Sequence, residues 1–146
     1  MLPLNFPKPD FSVRKNNEQP QIFDRLRKLW VKLTPEEWVR QNVLGMMLEE
    51  LNFPAPYISI EKEIQVGQLK KRFDLLIYDA SHRPWMLVEC KAPEVALSQK
   101  TAEQMLNYQQ VLQTKYMVIT NGNTAMGWEY HVQELVELHT WPAYNL

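Results

Sequence analysis

Three charged residues stand inside strongly apolar runs. Asp74 lies in RFDLLIYD, and Glu89 and Lys91 lie in WMLVECK. Burying a charge without a partner is costly, so these groups either decorate an exposed edge or serve a site. Side chains alternate across a strand, which sends Glu89 and Lys91 to one face and Cys90 to the other. If the two runs pair as a hairpin, Asp74 falls beside Glu89 on the same face. Two carboxylates and an ammonium then converge where KAP breaks the strand. Two carboxylates hold Mg²⁺ while leaving several of its waters in place, and the backbone carbonyl of Cys90 is a further candidate ligand. Such a cation polarises a phosphate and acidifies a bound water. A nearby lysine orients that water and stabilises the developing charge. This is chemistry for hydrolysing a phosphodiester. The competing interpretation, an exposed Glu89–Lys91 pair on an edge strand with Asp74 solvated, is weakened by consecutive apolar residues such as Met86, Leu87 and Val88, which mark a central strand.

The flanking pattern predicts the elements that must position these residues. Residues 1 to about 20 contain four prolines and no apolar period, and read as an extended arm. Residues 21–32 are ambiguous between a short helix and a strand, with Ile22, Leu26 and Leu29/Trp30 at helical spacing. From Thr34 the helix signal is strong: an N-cap threonine, Pro35 at the first helical position and Glu37 completing a capping box. Trp38/Val39, Val43, Met46/Met47 and Leu51 extend its apolar stripe, and Asn52 and Pro54 end it. YISIEKEI, RFDLLIYD and WMLVECK then read as three strands. Residues 98–114 read as a helix, with Ser98 as a candidate cap and Met105, Tyr108 and Val111/Leu112 as its apolar face. YMVIT reads as a buried strand, NGNT as a turn and AMGWEYHV as a further strand; ELVELHTWPAYNL stays open between strand and helix. The expected order is α-β-β-β-α-β-β, an α/β sandwich with a mixed central sheet flanked by helices. The expected division is an N-terminal arm over residues 1–33, carrying a short helix or strand, and a core domain over residues 34–146.

The 146-residue chain suits one domain, and its 45% apolar content supplies a core. Its net charge of −1 argues against a protein coated in positive charge. The charge is nevertheless uneven. Lys8, Arg14, Lys15, Arg25, Arg27, Lys28, Lys32 and Arg40 crowd the first 40 residues, and Lys70, Lys71 and Arg72 precede Asp74, so a local basic rim is expected. No apolar run is long enough to span a membrane, and the N-terminus lacks the pattern of a signal peptide. The single cysteine, Cys90, excludes an internal disulfide and a cysteine zinc site. A cytoplasmic protein is expected. With four glycines there is no phosphate-binding Gly-rich loop and no nucleophile elbow.

Asp74, a hairpin, then Glu89-Cys90-Lys91 resembles the PD-(D/E)XK nuclease superfamily. QMLNY sharpens the match: Gln104 and Tyr108 stand one helical turn apart on one face, as in the Q-x-x-x-Y motif of the exonuclease-like branch and of type I restriction enzyme R-subunit N-terminal domains. PEEWVRQ and VITNG also resemble that domain, and the likeness runs over roughly residues 34–130. The resemblance implies a restriction-endonuclease-like fold. It implies Asp74 and Glu89 as ligands of Mg²⁺ (or Mn²⁺), Lys91 as the catalytic lysine, and Gln104 and Tyr108 as supports or DNA-backbone contacts. Arg72 joins them as a candidate DNA contact. Many relatives carry a first-helix glutamate near the metal; Glu37, Gln41 and Arg40 are the candidates for that neighbourhood. Phe73 replaces the usual proline before the aspartate.

The implied activity is a metal-dependent deoxyribonuclease related to restriction or repair, with endonucleolytic cleavage expected over exonucleolytic. Its expected partner is DNA, with a homodimer or a larger restriction or repair assembly around it and no membrane. The alternative is a catalytically inactive nuclease-fold binding module, or a subunit of a larger DNA-processing complex. His82, His131 and His139 are scattered and lack metal-ligand spacing. Cys90 reads as core rather than nucleophile, the methionines of GMMLEEL as core filler, and Trp85 and Trp128 as packing residues.

Overall fold

The computed structural model describes residues 1–145. Its first helix, α1, spans Pro35–Glu49 and begins as its sequence requires. The Thr34 hydroxyl accepts the Glu37 backbone N–H at 3.0 Å, and Pro35 occupies the first turn. The expected capping box is only half made, because the Glu37 carboxylate turns instead to Arg40. Val39, Val43, Leu44, Met46 and Met47 are buried, whereas Trp38 remains 38% exposed.

Three strands follow: β4 (Ile58–Val66), β5 (Leu69–Tyr78) and β6 (Pro84–Cys90). The second helix, α2 (Gln99–Leu112), then leads to β7 (Tyr116–Thr120), β8 (Ala125–His131) and β9 (Glu134–Glu137). These six strands form one sheet in the order β4-β5-β6-β7-β8-β9. Only β6–β7 is parallel among its pairings, because α2 carries the chain back across the sheet between them. β6 is therefore interior, which accounts for its unbroken apolar run. α1 covers one face, where Val39, Val43 and Met47 pack with Leu75, Ile77, Val88 and Cys90. α2 covers the other, where Met105 and Leu112 pack with Phe73, Leu76, Leu87 and Ile119. The architecture is the expected α/β sandwich with a mixed central sheet.

The N-terminal region departs from expectation. Residues expected to be an arm with a short helix or strand build a separate antiparallel sheet, β1 (Val13–Asn16), β2 (Gln19–Asp24) and β3 (Leu29–Lys32). Of the two alternatives around Ile22 the strand holds; the helical spacing arose because the turn between β2 and β3 consumes Arg25 to Lys28. Asp24 makes that turn: its carboxylate accepts the backbone N–H groups of Leu26 and Arg27 at 2.9 and 2.8 Å. The segment before β1 is packed too, with Leu2 buried and its N–H donated to the Ala125 carbonyl at 3.0 Å. The open C-terminal stretch resolves as β9 followed by a loop, whose Tyr144 hydroxyl donates to the Tyr78 carbonyl at 2.7 Å.

Asp24 is fully buried and also accepts from the Arg27 guanidinium at 2.9 Å and the Gln41 amide at 3.0 Å. It thereby ties the N-terminal sheet to α1. Replacing it by alanine strands several buried donors, so Asp24→Ala is expected to destabilise the fold by about 3 kcal/mol in urea denaturation. Asp24→Asn keeps part of the acceptor capacity and should lose less. A loss well below 1 kcal/mol would show that the turn holds without the carboxylate.

Candidate active site

The ladder between β5 and β6 stops short of the strand end. Its last regular pair near α1 is Leu75 with Val88. Beyond it, Asp74 donates its backbone N–H to the Glu89 side chain (Oε1) at 3.3 Å, and Cys90 donates its backbone N–H to the Asp74 side chain (Oδ2) at 2.9 Å. Carboxylates thus take the place of backbone carbonyls as acceptors, and the two acids meet between the separating strands.

The opposite neighbour of Asp74 explains the distortion. On β4 the pairs Ile60–Leu75 and Lys62–Phe73 bracket Glu61, which adopts a left-handed φ of +53°. A non-glycine residue rarely takes that conformation, and it costs roughly 1–2 kcal/mol. Alternation along β5 slips at this point. Phe73 packs on the α2 side against Tyr108, with ring centroids 5.5 Å apart, whereas Leu75 and Ile77 pack on the α1 side. In a regular strand all three would share a face.

Arg40 reaches in from α1. Its guanidinium donates to Asp74 at 3.1 Å, to Glu61 at 2.8 Å and to Glu37 at 2.9 and 2.7 Å. Arg27 adds bonds to Asp24 at 2.9 Å and to Glu61 at 3.3 Å. Burial acts against charge on Arg40, but the Glu37 hydrogen bonds and the charges of Glu37, Asp74 and Glu61 prevail and raise its pKa. Burial likewise opposes the Asp24 and Glu61 carboxylates, yet their donors hold both below the ordinary value.

Asp74 and Glu89 shift the other way. Burial is the largest cause at each; at Glu89 the charge of Asp74 adds to it and pushes the pKa up to about 7. Lys91 follows the last residue of β6, and its N–H donates to the Thr120 carbonyl at 2.8 Å. Its positive charge favours ionisation of both acids without a direct ion pair to either among the described residues. Cys90 faces the α1-side core, and burial drives its thiol pKa up, as befits an inert core residue.

Not every candidate from the sequence reaches the acid pair. Glu37 is held behind Arg40, and Gln41 points to Asp24 and Glu37 rather than to Asp74. Arg72 is 64% exposed, 3.9 Å from Glu61. Gln104 donates to the Tyr108 hydroxyl at 2.7 Å, and Tyr108 lies over Phe73. Three participants were missed. Glu61 looked like one acid in an alternating strand. Glu36, one residue from the candidate Glu37, feels the charges of Asp74 and Lys91, and burial with the Asp74 charge raises its pKa. Lys71 carries its ammonium 4.9 Å from the Tyr108 ring centroid; the basic run was its only signal.

The site's donors are mostly carboxylate oxygens, the hard type that a divalent cation would take. Asp24, Glu36, Glu37, Glu61, Asp74 and Glu89 gather around two guanidiniums, Arg27 and Arg40, and two ammoniums, Lys71 and Lys91. Acid is in excess, and the charge of Asp74 adds to burial in raising the Glu89 pKa. Among the described residues no three His, Cys, Asp or Glu side chains cluster at metal-ligand spacing. Two carboxylates would suit a hard cation that retains water, and would not suit a protein-caged transition metal.

The sandwich and its interrupted hairpin define a restriction-endonuclease-like fold. The family model for the type I restriction enzyme R protein N terminus (HSDR_N) matches residues 35–142, and the chain belongs to that family. Among solved structures, a fragment described as an HsdR subunit of a type I restriction enzyme from Vibrio vulnificus YJ016 aligns with a TM-score of 0.54 at 22% identity. That alignment covers 76% of this chain but 24% of the other. A protein described as a nuclease belonging to DUF820, from Anabaena variabilis ATCC 29413, aligns with a TM-score of 0.49 at 10% identity over 85% of this chain and 79% of that one. No curated protein matches the sequence. Among the described residues no helix is long and apolar enough to cross a membrane.

The strained acid pair has a pH signature. Between the unfolded value near 4.5 and the folded value of about 7, Glu89 keeps a proton in the native state that the unfolded chain has released. Its contribution to stability is complete below that window and is lost as pH rises through about 7. In EDTA, Glu89→Gln is therefore expected to remove a downward slope across this range and to be more stable than wild type above pH 7, by up to ~3 kcal/mol. Urea denaturation of both proteins at a series of pH values checks this; parallel profiles would show that Glu89 is not strained.

Proposed function

We propose that this domain hydrolyses DNA phosphodiester bonds with Mg²⁺ or Mn²⁺, as the nuclease module of a restriction-related assembly in the cytoplasm. The observation that carries the reading is the meeting of Asp74 and Glu89 at the interrupted ladder, with acid in excess and Lys91 beside them. Asp74, Glu89 and the Cys90 carbonyl would hold the cation. When bound, it would polarise the scissile phosphate and supply a nucleophilic water. Lys91 would orient the attacking water and offset negative charge on the phosphorus oxygens as the P–O bond breaks. Arg40 positions Asp74 by holding its second oxygen. Membership of the restriction-subunit family supports DNA as substrate and a larger assembly as partner. The chain's near-neutral net charge of −1 is consistent with help from that assembly in binding DNA.

A second reading rests on the Arg40–Asp74 contact at 3.1 Å. A guanidinium already on the carboxylate competes with a cation, which favours a nuclease-fold module that binds without cutting. Calorimetric titration with Mn²⁺ separates the two: absence of binding at millimolar metal supports the module.

Cleavage of linear, circular, single-stranded and branched DNA with Mg²⁺ or Mn²⁺ tests the nuclease reading. Lys91→Ala and Asp74→Asn are expected to lower the rate by roughly 100-fold or more with unchanged circular dichroism. Asparagine at 74 preserves an acceptor for the Cys90 N–H. Full metal-dependent cleavage by both variants would remove these roles.

A further inference from the structure

Lys71 has no part in the chemistry assigned above, yet its surroundings are built. It lies on β5 at the α2 side of the acid pair, where the slip in alternation at Asp74 has turned it toward the helix. Its ammonium stands 4.9 Å from the centroid of the Tyr108 ring, within the range of a cation–π contact. That ring is braced from below by Phe73 at 5.5 Å and at its hydroxyl by the Gln104 amide at 2.7 Å. The two basic neighbours are engaged otherwise: Lys70 pairs with Glu63 at 2.9 Å, and Arg72 lies 3.9 Å from Glu61. Lys71 has no direct ion pair among the described residues. It is partly buried, and although burial works against its charge, the Tyr108 hydroxyl and the charges of Glu89 and Asp74 outweigh it and keep the ammonium protonated.

We propose that Lys71, aimed by Tyr108 and Gln104, is a phosphate-binding residue that anchors a non-scissile backbone phosphate of DNA beside the Asp74–Glu89 pair. A lysine held over an aromatic face loses less freedom on binding than a solvated one and keeps its donors open to an anion. Lys71 and Lys91 both act on Glu89, so both ammoniums stand near the acids. A strand drawn to the acid pair then meets the positive charge of both lysines. This placement offsets the repulsion that the acid excess would exert on a polyanion. The inference takes its ligand class, DNA, from the nuclease reading, but it concerns binding rather than cleavage.

The test is the salt dependence of binding to short duplexes of unrelated sequence, measured by fluorescence anisotropy in EDTA so that no cleavage occurs. Each phosphate contact contributes about 0.9 to the magnitude of the slope of log K against log salt. Lys71→Gln is expected to lower that magnitude by about 0.9 and to weaken all duplexes alike. Lys71→Arg should restore the slope. Lys115→Ala, at the opposite end of the sheet, should leave it unchanged. A Lys71→Gln slope equal to wild type, or no duplex binding by wild type at low salt, overturns the proposal. The nuclease reading fails separately. A drop of about 0.9 for Lys71→Gln, together with no DNA cleavage by the wild type, leaves the phosphate site standing and removes the hydrolytic role.

Discussion

The site depends on a β-ladder that is finished by side chains. Past Leu75 and Val88 the backbones of β5 and β6 part, and the N–H groups of Asp74 and Cys90 turn to carboxylate oxygens for their acceptors. Buried N–H groups must find partners, so these bonds draw both carboxylates into the gap between the strands. The same arrangement desolvates both acids, which raises the pKa of each, and at Glu89 the charge of Asp74 adds to the effect. Preorganisation and electrostatic strain therefore have one cause.

That strain is contained by a buried ionic network. Arg40 and Arg27 link Asp24 of the N-terminal sheet, Glu37 of α1, Glu61 of β4 and Asp74 of β5. Removing one member of such a network leaves uncompensated buried charge. The three-stranded N-terminal sheet is accordingly part of the support of the site, through Asp24 and Arg27. The left-handed backbone at Glu61 belongs to the same device, because it lies opposite Asp74 where the regular alternation of β5 fails.

Legibility in the sequence followed the range of the interactions. Thr34-Pro35 announced α1 because capping is local, and the apolar run before Glu89 announced an interior strand because burial on both faces leaves no polar period. The N-terminal strands were obscured because the turn at Asp24 placed apolar residues at helical spacing. The choice among Glu37, Arg40 and Gln41 could not be made from spacing, since it turns on which oxygens Arg40 reaches and which donors Asp24 captures from other elements.

From the order of its residues alone, this chain determined a mixed sheet between two helices, with Asp74 and Glu89 on consecutive strands and Lys91 just after the second, because periodicity and pairing are properties of neighbouring residues. Tertiary structure decided the rest. It made carboxylates the acceptors at the ladder's end, brought Arg40 to Asp74, bent β4 at Glu61 and turned Lys71 toward Tyr108. Each of these joins residues far apart in the chain, and each arises only when packing removes water and makes every buried charge and donor find a partner in the protein.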